Sequence, residues 1–205
     1  VPGDGSAADD PSKVRWADAR DVTPPFTPGA LRGGTHRHDP GGPNGRWIGF
    51  TYNDQIMAAQ GPDLRAIGVT KLDHPVSVDE NIENRSGEGF SAIVVSVKDP
   101  DDLDTRAESE DIYRATDDQW IGTRGYQKPD GSWQIARAFI GHMKVADEDG
   151  TIRRLQEVFV VEIPEDITKP GPNGPLEGTE SKYPAPPAGT VQRRLTHSGG
   201  CGNLV

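Results

Sequence analysis

Two histidines one residue apart, His36 and His38, lie just after Arg32 and a Gly33-Gly34 pair, and they are the side chains whose types and spacing could do chemistry. Along an extended strand side chains alternate, so both imidazoles are expected on one face and Arg37 on the other. At that spacing the two rings can share a divalent metal or grip an anionic ligand. Arg32 can add a bidentate clamp for a carboxylate or phosphate. Two packed imidazoles need partners for four ring nitrogens, which water in a channel or a ligand supplies more easily than a thin packed interface. The plainer alternative is two polar residues facing water, with Arg32 a surface loop charge.

Other candidates are weaker. The stretch 99–118 carries nine acidic residues against Arg106 and Arg114. Asp99, Asp101, Asp102 and Asp104 invite a calcium reading, but Asp104 stands where an EF-hand loop needs glycine, so a solvated loop or short helix is expected. Asn53-Asp54 reads as a turn. His74 and His142 are single histidines at or beyond strand ends. No Gly-x-Ser-x-Gly elbow, phosphate-binding loop, His-Glu-x-x-His or dinucleotide fingerprint occurs, and no Ser/His/Asp triad can be assembled.

The elements that would position the histidines follow from the turns. Thr35–Asp39 can run extended, Pro43-Asn44-Gly45 supplies a turn that tolerates positive φ, and Trp47–Tyr52 is rich in strand formers, so residues 33–54 read as a β-hairpin. Leu64–Thr70 alternates as a third strand and Pro75–Val78 as a short fourth. Ser91–Val97 is a continuous apolar run suited to a strand buried on both faces. Trp133–Ile140 puts Trp133, Ile135 and Phe139 on one face and Ala136, Ala138 and Ile140 on the other; Val158–Ile163 and Val191–Thr196 follow as strands. Residues 164–189 hold seven prolines and four glycines and read as a semi-extended surface excursion.

Composition agrees with many short strands joined by turns, since 25 glycines and 18 prolines punctuate 205 residues. A net charge of −10 without a Lys/Arg run argues against a nucleic-acid grip or an anionic membrane surface. One cysteine, Cys201, excludes an intramolecular disulfide and a cysteine-rich zinc site. No apolar stretch is long enough for a membrane helix, so no membrane insertion is expected. The first residue is Val, which suggests an excised piece of a longer chain.

The turn and strand Pro43-Asn44-Gly45 to Phe50 resemble the blade repeat of TolB-like β-propellers. More narrowly, Thr27-Pro28-Gly29-Ala30-Leu31-Arg32-Gly33-Gly34-Thr35-His36, His38 and Phe50-Thr51-Tyr52-Asn53-Asp54 resemble the DUF3748 family of such proteins. So do Val158–Pro164, Gly178-Thr179-Glu180, Pro184–Pro187 and Val191–Thr196, which place the likeness over 21–197. Asp39-Pro40-Gly41-Gly42 and the end 199–205 depart from the family's pattern. The resemblance implies an all-β fold of about two four-stranded antiparallel blades of a six-bladed type propeller, each with its inner strand lining a channel. The expected organisation is a flexible end over 1–15, a first blade over 16–90, a second over 91–197 with the acidic insertion 99–118 and the excursion 164–189, and a tail over 198–205. The implied function is a module that binds a small anionic ligand or a protein partner through the channel or loop face. The alternative is a metal-assisted hydrolase or lyase acting there on a saccharide or acidic substrate, with Arg32, His36 and His38 as ligand residues and the two histidines as metal ligands. TolB-like relatives include periplasmic proteins, so the periplasm is the expected compartment and the cytoplasm the alternative.

Overall fold

A computed structural model describes residues 15–197. The ends for which flexibility and a tail are expected, residues 1–14 and 198–205, lie outside it, as does Cys201. Among the described residues the fold is all-β, with one four-residue α-helix and one short 3-10 turn. Ala19–Arg20 (β1) and Ala30–Leu31 (β2) pair in parallel. The expected hairpin forms as Gly33–Gly41 (β3) and Trp47–Asp54 (β4) around the turn Pro43–Gly45. Asn44 takes positive φ there, as its short polar side chain allows. The helix Gln55–Ala58 (α1) follows, capped by the Asp54 carboxylate accepting from the Met57 N–H at 2.8 Å. Asn53-Asp54 is thus the end of a strand and a helix cap.

Arg65–Val76 (β5) runs past Pro75, so the separate strand expected at 75–78 does not form. The fourth strand of the first unit is Gly87–Ile93 (β6), which pairs with β5 and takes up the start of the Ser91–Val97 segment expected to open the second unit. Arg114–Trp120 (β7), Tyr126–Gln127 (β8), Trp133–Ala146 (β9), Ile152–Ile163 (β10) and Val191–Arg194 (β11) complete the chain. Strand β7 occupies the end of the stretch expected as an acidic loop.

Two antiparallel meanders result, β3-β4-β5-β6 and β7-β9-β10-β11, with β8 on β9. They join in one mixed sheet through a single parallel pairing, Arg65 opposite Arg114. One hydrophobic cluster serves both, with Phe50, Tyr52, Ile67 and Ile93 from the first and Phe139, Phe159 and Val161 from the second. Phe139 and Phe159 stack at 5.5 Å between centroids.

The Pro/Gly-rich tract is less superficial than its composition suggests, because Ile167, Leu176 and Ala185 are buried and Tyr183 meets Tyr52 edge-on. The acidic loop before β7 is held by Lys98 Nζ to Asp111 Oδ2 at 2.7 Å and by buried Leu103 and Ile112. Asp102 there is exposed. Asp102→Ala is expected to leave the thermal midpoint unchanged in a calorimetric scan, as for surface substitutions away from structural features.

Candidate functional site

β3 and β7, the first strands of the two meanders, carry the same irregularity. In β3 the pairing with β4 slips between His36 and Asp39, with Arg37 at φ 53°. In β7 the pairing with β9 slips between Thr116 and Gln119, with Asp117 at φ 54°. Each is a bulge of one extra residue with a non-glycine residue in the left-handed region. Five and eight residues beyond each bulge stand glycines of positive φ, Gly42 and Gly45 after β3 and Gly122 and Gly125 after β7. The two devices are related by a constant offset of 80 residues.

The bulges aim their strands at one another. Arg37 NH1 meets Asp117 Oδ1 at 2.5 Å, so the two left-handed residues form an exposed ion pair across the junction. The Trp120 indole N–H donates to the Asp39 carbonyl at 2.8 Å. Behind them the fully buried Arg137 of β9 donates from one NH2 to the buried carboxylate of Asp118 and, at 3.3 Å, to that of Asp39. Its guanidinium lies 4.5 Å from the Trp120 ring centroid. Gly49 of β4 leaves it room, since a Cβ there would fall inside the guanidinium. Thr51 Oγ1 donates to Asp118 at 3.0 Å and ties β4 to the same group.

These contacts frame a cleft of about 760 Å³ between the meanders, with Arg37, His38, Asp39, Asp118, Trp120 and Arg124 among its lining residues. A second groove of about 780 Å³ shares Asn44 and Arg124 with it and adds Trp47, His74 and Trp133. Arg124 is exposed, makes no ion pair among the described residues, and lies 6.0 Å from the Trp133 ring centroid.

The three residues expected to act together are placed differently. His38 reaches the cleft, and its Nε2 lies 3.0 Å from Thr35 Oγ1. His36 is half-buried and not part of the cleft lining; burial, then Arg65 and Arg37, hold its pKa below 6.5. The bulge at Arg37 interrupts the alternation that was expected to set both rings on one face. Arg32 points into the protein: its Nε donates to Asp54 Oδ2 at 2.7 Å, and its NH1 and NH2 donate to the carbonyls of Thr179 and Lys182 at 2.5 and 2.6 Å. Its donors thus bind the Pro/Gly-rich tract. Among the described residues no three His, Cys, Asp or Glu side chains converge as a metal group.

Arg137, Asp118 and Trp120 were not singled out by the sequence, although an arginine between Ile135 and Phe139 on an apolar strand face is a readable oddity.

No helix of the structure is long and apolar enough to cross a membrane. No solved structure matches the chain. It is similar to the uncharacterized protein YidR of Escherichia coli (strain K12), 38% identical over 188 residues, which cover 90% of this chain and 41% of that protein. The chain thus spans less than half the length of this curated relative. Residues 4–85 match the model described as "Protein of unknown function (DUF3748)".

Proposed function

We propose that the two meanders are adjacent blades of a TolB-like β-propeller, and that the cleft where β3 and β7 meet binds a small anionic ligand in the periplasm. The repeated bulge-and-turn at an offset of 80 residues is the observation that carries this reading. A repeat of supersecondary units whose first strands face a common space is what a propeller requires. The cleft offers His38 and the exposed guanidinium of Arg124 as donors, Trp120 as an apolar wall, and the Asp39 carboxylate as an acceptor for hydroxyl groups. A ligand bearing both a carboxylate and hydroxyls meets that set.

The test is ligand-detected NMR on the full-length protein with a panel of acidic sugars and hydroxy acids. His38→Ala and Arg124→Gln are each expected to weaken binding about tenfold or more, the loss of a hydrogen bond to a charged group. Equal affinity in wild type and both variants would discard the cleft. Repeating the titration with Mn²⁺ or Zn²⁺ asks whether a divalent ion bridges ligand and protein. Enhancement that disappears in the His36→Ala/His38→Ala variant would show that it does.

A further inference from the structure

Outside the cleft, the sheet register assembles a row of cations. Arg65 of β5 stands directly opposite Arg114 of β7, and Arg114 directly opposite His142 of β9. Directly opposed residues project from the same face, so three basic side chains on three neighbouring strands lie side by side. The next pair along that face of β9 and β10 is Lys144 opposite Arg154. His36 approaches from β3, near enough for Arg65 to depress its pKa.

Like charges directly opposed across strands destabilise a sheet. Neither Arg65 nor Arg114 makes an ion pair among the described residues, and the Arg65 Nε is buried with no hydrogen-bond partner there. The acids nearest the row are otherwise engaged: Asp63 accepts from Asn53 at 2.7 Å, and Asp117 pairs with Arg37. His142 Nε2 lies 3.1 Å from Thr116 Oγ1, which leaves Nδ1 as the ring's other polar atom. All four basic residues are half-buried, open enough for a ligand to reach and dry enough for charge to matter.

From this juxtaposition we propose that Arg65, Arg114, His142 and His36 form a second site, distinct from the cleft, for a dianionic oxyanion of the phosphate class. Two guanidinium groups match two negative charges, and planar guanidinium forks suit tetrahedral oxygens. The imidazoles add neutral donors at neutral pH. Burial depresses the pKa of His142 first, Arg114 and Arg65 depress it further, and Asp117 opposes them. For His36, burial comes first, then Arg65 and Arg37, with Asp118 opposing and His38 adding. Both rings therefore gain their protons at lower pH than a free imidazole does, and an anion of fixed charge should bind more tightly as they become charged.

The experiment is isothermal titration of the full-length protein with inorganic phosphate, a sugar phosphate, sulfate and succinate at constant ionic strength, alongside thermal denaturation. Phosphate is expected to bind and raise the melting temperature beyond sodium chloride of equal ionic strength. Arg65→Gln and Arg114→Gln should each weaken phosphate at least tenfold, yet leave the ligand-free melting temperature equal or higher, because each removes a repulsion. A purely structural arginine would show the reverse. Sulfate affinity should rise as pH falls from 7.5 to 5.5 and lose that rise in the His36→Gln/His142→Gln double variant. Tighter binding of the sugar phosphate than of inorganic phosphate would mark a monoester as the ligand, and the opposite order the free ion. Succinate binding as tightly as phosphate, wild-type phosphate affinity in both arginine variants, or no phosphate effect beyond ionic strength would each overturn the proposal.

Discussion

Arg137→Met is expected to destabilise the protein by about 3–5 kcal/mol, the cost of breaking a buried ion pair by removing one partner. Both side chains of the Arg137–Asp118 pair are fully buried, so the carboxylate left behind keeps the Thr51 hydroxyl but no counter-charge. Methionine fills part of the same volume over Gly49 and beside Trp120, which isolates the charge from the packing. The double variant Arg137→Met/Asp118→Leu separates the two further: it should recover most of the loss, because an apolar pair of similar volume carries no stranded charge. Urea denaturation of the three variants measures this. A loss below about 1 kcal/mol for Arg137→Met, or no recovery in the double variant, would mean that water reaches Asp118 and that the group is not the keystone between the meanders.

Arg32→Met is expected to cost a similar amount, with a different signature. Arg32 and Asp54 are both buried, and Asp54 also accepts from the Tyr52 hydroxyl at 2.9 Å and caps α1. Removing the guanidinium strands that carboxylate and frees the carbonyls of Thr179 and Lys182, more than 140 residues away in sequence. Besides a loss of about 3–5 kcal/mol in denaturation, limited proteolysis should find a new early cut within residues 175–188. Unchanged protection of that tract would show that Ile167, Leu176 and Ala185 hold it without the arginine.

The difference between what could be read in advance and what could not lies in how the residues are satisfied. The hairpin 33–54 is legible because turn chemistry and aromatic strand formers agree there. The apolar faces of β9 and β10 are legible for the same reason. Strand β7, Arg-Ala-Thr-Asp-Asp-Gln-Trp, carries almost no strand propensity and hides in an acidic run. It is a strand because Arg137, Arg37 and Thr51 answer its carboxylates, partners that no local window contains. Strand β6 begins Gly-Glu-Gly, where short-range rules see a loop; tertiary packing needs the glycine, since a Cβ at Gly87 would strike the Asp18–Ala19 backbone. The left-handed residue at Arg37 is likewise invisible to a period-two reading, and it alone alters which groups His36 and His38 meet. The pairing of His38 with Trp120 and Arg124 in one cleft depends on the contact between meanders, which only the fold supplies.

Strand β3 ends the sheet among the described residues, and its bulge and Pro40 have a bearing on colloidal behaviour. An exposed strand edge invites pairing with another molecule, and proteins blunt such edges with charge, proline and local kinks. Here Arg37, Pro40 and the slip between His36 and Asp39 sit within five residues of one another. Deleting Arg37 would straighten the ribbon, leaving Asp39 opposite Gly49 and the residues beyond it on their present faces. The shortened chain would offer a flat, regular edge, and edge-to-edge growth into insoluble assemblies would follow at concentrations where the parent stays dispersed.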